Sequence, residues 1–139
     1  MLSSISATDI ALSGVRAQRT RMNVIANNIA NAQTTRTPEG GPFRRELAVF
    51  QGAQLSPTLR PERFGVKVKE IIHDQSPFVE VYDPSHPDAN DEGIVQYPNV
   101  NLSVEMINLV SAQRAYEANI NVMLSWRAMG DKALEIIRQ

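Results

Sequence analysis

Met22-Asn23-Val24-Ile25-Ala26-Asn27-Asn28-Ile29-Ala30-Asn31 closes a long amphipathic stretch near the start of the chain, and its reading decides the fold. Asn23, Asn27 and Asn31 recur every four residues, so on a helix they share one face, with Asn28 beside them. Asparagine costs a helix interior about 0.6 kcal/mol per position relative to alanine. Four of them in nine positions therefore need a reason. One reason is a fraying helix end, where asparagine tolerates turn geometry. The other is a row of amides, each able to donate and accept, bonding to neighbouring chains. Apolar residues interleave the stripe on the other faces, which favours the second.

Upstream, the helical pattern spans residues 5–32. Ile5, Leu12 and Ala26 fall on one heptad line and Val15, Met22 and Ile29 on the next, with Ile25 beside them and Arg19 as an interruption. Such a narrow stripe predicts a coiled-coil-like seam on a helix about 40 Å long. Ser6-Ala7-Thr8-Asp9 has the form of a capping box in front of it. At the other end, residues 101–138 carry a cleaner seam. Leu102, Leu109, Tyr116, Met123 and Ile137 share one heptad line, and Met106, Ile120 and Leu134 the alternate one. Asn101 or Ser103 is the predicted cap, directly after Pro98.

Between the helices, short strand candidates are bounded by turn residues: Phe43 to Phe50, Val66 to Ile71, Phe78 to Tyr82 and Gly93 to Tyr97. The fold class is therefore α+β. N- and C-terminal helices pair as a coiled-coil-like domain, and a small antiparallel β domain of three to five strands is inserted between them. Residues 1–35 form one half of the helical part, 36–99 the β domain, and 100–139 the second helical half. Two helices alone bury too little surface to be stable, so other copies or partners supply the remaining contacts.

Composition narrows the function. Fourteen basic and fifteen acidic side chains leave a formal charge of −1, which gives no field toward nucleic acid or an anionic membrane. The arginines at 16, 19 and 21 lie within an amphipathic helix, where a solvated or intersubunit face is expected. No apolar run approaches the length of a membrane span, so the chain is not expected to insert in one. The N-terminal residues lack the pattern of a cleavable secretory signal. There is no cysteine, which excludes disulfides and thiolate metal sites.

Catalytic chemistry is not signalled, and neither a metal nor a cofactor is expected. His73 and His86 are the only histidines and lack ligand spacing. Asp88-Ala89-Asn90-Asp91-Glu92-Gly93 imitates the first half of a calcium loop, but its twelfth position is Asn99 and prolines replace the flanking helices. A solvated turn is expected there.

Asn27-Asn28-Ile29-Ala30-Asn31 with Thr34 resembles the N-terminal signature of bacterial flagellar rod and hook proteins, and Gln113-Arg114-Ala115-Tyr116-Glu117-Ala118-Asn119 is similar to its C-terminal partner motif. The middle segments Gly40 to Arg45, Ser76 to Ala89 and Tyr97 to Asn101 resemble the proximal rod members of that superfamily. The resemblance implies a structural subunit that assembles helically with its own copies and other rod proteins. It also implies export without a cleaved signal through the flagellar type III apparatus, and a place in the basal-body rod across the periplasm. Terminal helices would then line the channel. The expected packing and assembly residues are Leu12, Val15, Met22, Asn23, Ile25, Asn27, Asn28, Ile29, Asn31, Met106, Leu109, Arg114, Tyr116, Asn119, Ile120 and Met123. The rival expectation is a soluble helical adaptor or export chaperone that holds one partner helix in the same seam.

Overall fold

The computed structural model describes residues 7–54 and 64–137. Ile5 and the predicted cap at Ser6 lie outside them. Helix α1 spans Ala7–Ala30 and helix α2 spans Leu102–Ile137. After α1 the chain leaves through tight turns, with Asn31 N–H donating to the Asn27 carbonyl at 3.1 Å and Thr34 N–H to the Asn31 carbonyl at 3.0 Å. Asn101 caps α2: its side-chain oxygen accepts from Val104 N–H at 3.2 Å, which fills one of the orphan donors of the first turn.

The helices run antiparallel. Asn28 meets Glu105 at one end of the contact, and Gly14 meets Asn119 at the other. The centre of this seam differs from the expected one. Buried positions on α1 are Ala11, Gly14, Ala17, Val24, Ile25 and Asn28, and on α2 they are Glu105 and Ala112. The expected lines sit to one side: Leu12, Val15, Met22, Ile29, Leu109, Tyr116, Ile120 and Met123 are half-buried. Leu102, Met106, Leu134 and Ile137 are exposed. The cause is steric, because interaxial distance follows the side chains at the crossing. Small residues at the centre let the backbones approach and push the bulky apolar residues to the flanks.

Four strands form, within the three to five expected, and they pair as two separate antiparallel ribbons. Strand β1 (Glu46–Gln54) pairs with β2 (Phe64–His73), and β3 (Val79–Tyr82) pairs with β4 (Ile94–Tyr97). The first ribbon lies along α1, which is why α1 is buried over a wide stripe and α2 over a narrow one. Its register shifts between Val49, opposite Glu70, and Phe50, opposite Val68. Lys69 is the extra residue of a bulge, placed where Lys69-Glu70 breaks the apolar–charged alternation.

The second ribbon pairs Val79 with Tyr97 and Tyr82 with Ile94. Its connecting loop is organised by Asn90, whose side-chain oxygen accepts from Glu92 N–H at 3.0 Å and Ile94 N–H at 2.8 Å. Gly93 sits there at φ 76°, and an added Cβ would lie 3.0 Å from both Tyr82 and Pro84. The calcium-loop imitation is therefore an Asx-stabilised turn. Val95 of β4 and Pro98 just after it are fully buried.

Candidate functional site: the polar junction of helices and ribbons

The end of α1, the start of α2 and the start of β1 converge on Asn28 and Glu105. These are the two buried polar side chains among the described residues, each 1% exposed. Asn28 makes three bonds. Its Nδ2 donates to the Glu46 carbonyl at 2.8 Å and to Glu105 Oε2 at 3.1 Å, and its Oδ1 accepts from Glu46 N–H at 2.9 Å. One amide thus clasps both polar groups of a strand residue and still reaches the second helix, which uses its donors and acceptor together.

The remaining Glu105 oxygen faces Arg45, with Nε at 2.8 Å and Nη2 at 2.7 Å. Arg45 also reaches Asp74 Oδ2 through Nη1 at 3.2 Å. Burial opposes the Arg45 charge, but the hydrogen bond and charge of Glu105, then those of Asp74, outweigh it and raise its pKa above the ordinary arginine value. Asp74 is held below the usual carboxylate range, chiefly by the Ser76 hydroxyl and backbone N–H and then by Arg45. Glu105 lies in the first turn of α2, where the helix dipole also favours a negative charge.

Asn99 closes the arrangement from the chain entering α2. Its side-chain oxygen accepts from Arg45 N–H at 2.8 Å, and its amide donates to the carbonyls of Asp74 and Ser76 at 3.0 and 3.1 Å. Arg44 donates to the same two carbonyls and lies 4.1 Å from the Phe78 ring centre. Every charge here has a partner, as burial demands. An open crevice of about 380 Å³ lies beside the junction, walled by Val24, Ile25, Leu47, Phe50, Arg21 and Asn108.

The expected residues divide by position. Asn28 and Ile25 are buried, with Asn28 turned inward to the junction rather than outward. Asn27 and Asn31 bond within the chain: Asn27 donates to Glu46 Oε2 at 3.0 Å, and Asn31 donates to Asn27 Oδ1 at 3.0 Å while accepting from the Thr34 hydroxyl at 3.1 Å. Asn23, Met106 and Arg114 face solvent. Asn119 donates to the Ala115 carbonyl at 2.8 Å and packs on Gly14, where an added Cβ would lie 2.8 Å from its Oδ1.

Arg45, Glu105, Asn99, Gly14 and Ala112 were not among the expected residues. A signal existed for three positions of α2, since Glu105, Ala112 and Asn119 repeat every seven residues. A charged residue, a small one and an amide do not register as a hydrophobic line. His73 is exposed at the edge of the junction, where its backbone pairs with Glu46, and His86 accepts from Asp88 N–H through Nδ1 at 3.0 Å.

The geometry binds the chain to itself and leaves a large apolar surface open along α2. The two long helices pair across an inserted β region. Family comparison agrees on both ends: residues 9–36 match the flagella basal body rod protein family, and residues 91–136 match the C-terminal family of flagellar basal body rod FlgEFG proteins. The chain is also similar to the flagellar basal-body rod protein FlgC of Borreliella burgdorferi, at 42% identity over 96% of this chain and 97% of that protein. The FlgC of Bacillus subtilis is 41% identical over 97% and 99%, and that of Salmonella typhimurium 41% over 92% and 93%. The chain belongs to the flagellar basal-body rod protein FlgC family.

Proposed function

We propose that this chain is a structural subunit of the proximal rod of the flagellar basal body, polymerising helically through its terminal helices. Residues 1–35 and 100–139 form the inner, channel-lining part and 36–99 the outer part. Its role is mechanical and not catalytic. Its partners are further copies and other rod proteins, after passage through the flagellar type III export apparatus without a cleaved signal, and its place is the rod across the periplasm.

One observation carries the reading. Along distal α2, Val122, Trp126, Met129 and Ile136 fall on one side of the helix and remain 49%, 48%, 58% and 76% exposed. Contiguous apolar surface of this kind marks an interaction site. The half-buried line Leu12, Val15, Met22 and Ile29 on α1 extends the supply of apolar surface that the single chain leaves unclosed.

Sedimentation of the purified full chain at rising concentration, alone and with other rod proteins, tests this. Open-ended growth is the expected result. A discrete dimer that stays constant with concentration supports an adaptor or chaperone instead and overturns the polymer.

A further inference from the structure

Charge is segregated along this chain despite its near-zero total. Residues 10–38 contain Arg16, Arg19, Arg21 and Arg36 and no acidic residue. Residues 74–113 contain Asp74, Glu80, Asp83, Asp88, Asp91, Glu92 and Glu105 and no lysine or arginine. Part of this opposition is consumed inside the chain, where Arg36 pairs with Asp88 and Arg45 with Asp74 and Glu105. The rest is not. Arg16 and Arg19 are exposed one turn apart on α1, on the side that carries Leu12, Val15 and Asn23. Glu80, Asp91 and Glu92 are exposed on the β3–β4 ribbon and its loop.

Within one chain these two patches do not meet. The β3–β4 ribbon packs against neither helix and neither strand of the first ribbon. On the face that carries Glu80 it also presents an apolar component, Tyr82 at 74% exposed, while Val79 and Val81 lie on the opposite face with buried Val95. Acidic residues beside an exposed tyrosine match an arginine pair bordered by half-buried leucine and valine.

We infer that the β3–β4 ribbon of one copy docks on the Arg16–Arg19 face of α1 in a second copy. The inference rests on the rod-subunit reading and assigns it a specific contact. The two patches are different surfaces, so the contact is heterologous and generates a ring or an open helix, never a closed two-fold pair. Tyr82 supplies the aromatic anchor and can lie over an arginine, while Glu80, Asp91 and Glu92 orient the approach.

The chain contains no cysteine, so engineered thiols report the contact without interference. Asn23→Cys and Gln96→Cys are exposed positions beside the two patches and leave every charge in place. Full-length chains of the two kinds, one carrying a mass tag, are mixed under mild oxidation. The mixed disulfide dimer is expected to exceed either like dimer by about fivefold at low salt, the scale of a rim charge pair, and to fall as ionic strength passes physiological values. Arg16→Glu with Arg19→Glu in the first chain removes the excess, and so does Glu80→Lys with Glu92→Lys in the second. Combining both reversed chains restores it. Circular dichroism confirms that each variant is folded.

A mixed dimer no more abundant than the roughly twofold excess over either like dimer that random pairing gives overturns the contact, as does an excess indifferent to charge reversal or no mixed dimer at all. Sedimentation of the same variants separates the two levels. Open-ended growth that survives charge reversal removes this contact and leaves the rod subunit, whereas a discrete dimer of the unaltered chain removes the rod subunit.

Discussion

Asn28→Ala tests whether the junction holds the subunit together. The substitution removes two bonds to the Glu46 backbone and one to the Glu105 carboxylate. Neutral bonds contribute about 1 kcal/mol each and a bond to a charged group about 1.5–3 kcal/mol, and the partners left behind are strand and carboxylate groups in a dry site. Better helix propensity returns about 0.6 kcal/mol. The expected net loss is therefore about 3 kcal/mol. With a urea slope of about 2 kcal/mol per molar, the midpoint falls by about 1.5 M. Far-ultraviolet circular dichroism is the appropriate probe, since half-exposed Trp126 on distal α2 reports the junction poorly. Asn23→Ala is the internal control: it is exposed on the same helix, and its loss should be near zero or slightly negative. Asn28→Asp keeps the shape and the acceptor but sets a carboxylate against the Glu46 carbonyl and Glu105, so it should cost at least as much as alanine near neutral pH. A loss below about 1 kcal/mol for Asn28→Ala, or one equal to that of Asn23→Ala, refutes the account of the junction.

Two other outcomes follow from the same geometry. Gly14→Ala gains about 1 kcal/mol of helix propensity but drives a methyl into the Asn119 amide, so a loss of about 1 kcal/mol is expected in the unaltered chain and a gain in the Asn119→Ala background, measured as a double-mutant cycle. Because the folded pKa of Asp74 is depressed, its contribution is present above the unfolded value of about 3.9 and is lost as pH falls through the folded value. Ser76→Ala, which removes the largest cause of that depression, should raise the midpoint of acid unfolding, and carboxyl NMR titration of Asp74 should show the pKa rising with it.

Much of the fold was legible because local chemistry and tertiary structure agree. Both helices lie within the predicted spans, Asn101 caps as its position implies, and the four strands overlap their predicted stretches. Even the bulge at Lys69 falls where the alternation stops. The division into two ribbons was not legible, since nothing in a strand's own sequence says which distant strand it will meet. The seam centre was missed for a different reason. Heptad reasoning follows the largest apolar residues, while this seam carries small residues such as Gly14 and Ala112 and is locked by Asn28 and Glu105 at one end. Of the asparagine stripe, the spacing set Asn23, Asn27 and Asn31 one turn apart, with Asn31 just past the end of α1. It could not show that Asn27 reaches Glu46 or that Asn28 turns inward to Glu105, because those partners arrive through tertiary structure.

The first ribbon is fastened to α1 at two places. Asn28 grips Glu46 near one end of the helix, and Ser13 Oγ accepts from Val66 N–H at 3.0 Å near the other. Those fastenings stand about 22 Å apart along the helix axis. A beam pinned once can pivot, but a beam pinned twice along its length cannot swing without loosening one of the pins. Twist applied to the ribbon is therefore delivered to α1 as a couple, a pair of opposed sideways loads at separated points. Within a single small subunit, two short hydrogen-bonded fastenings turn a strand pair into a strut.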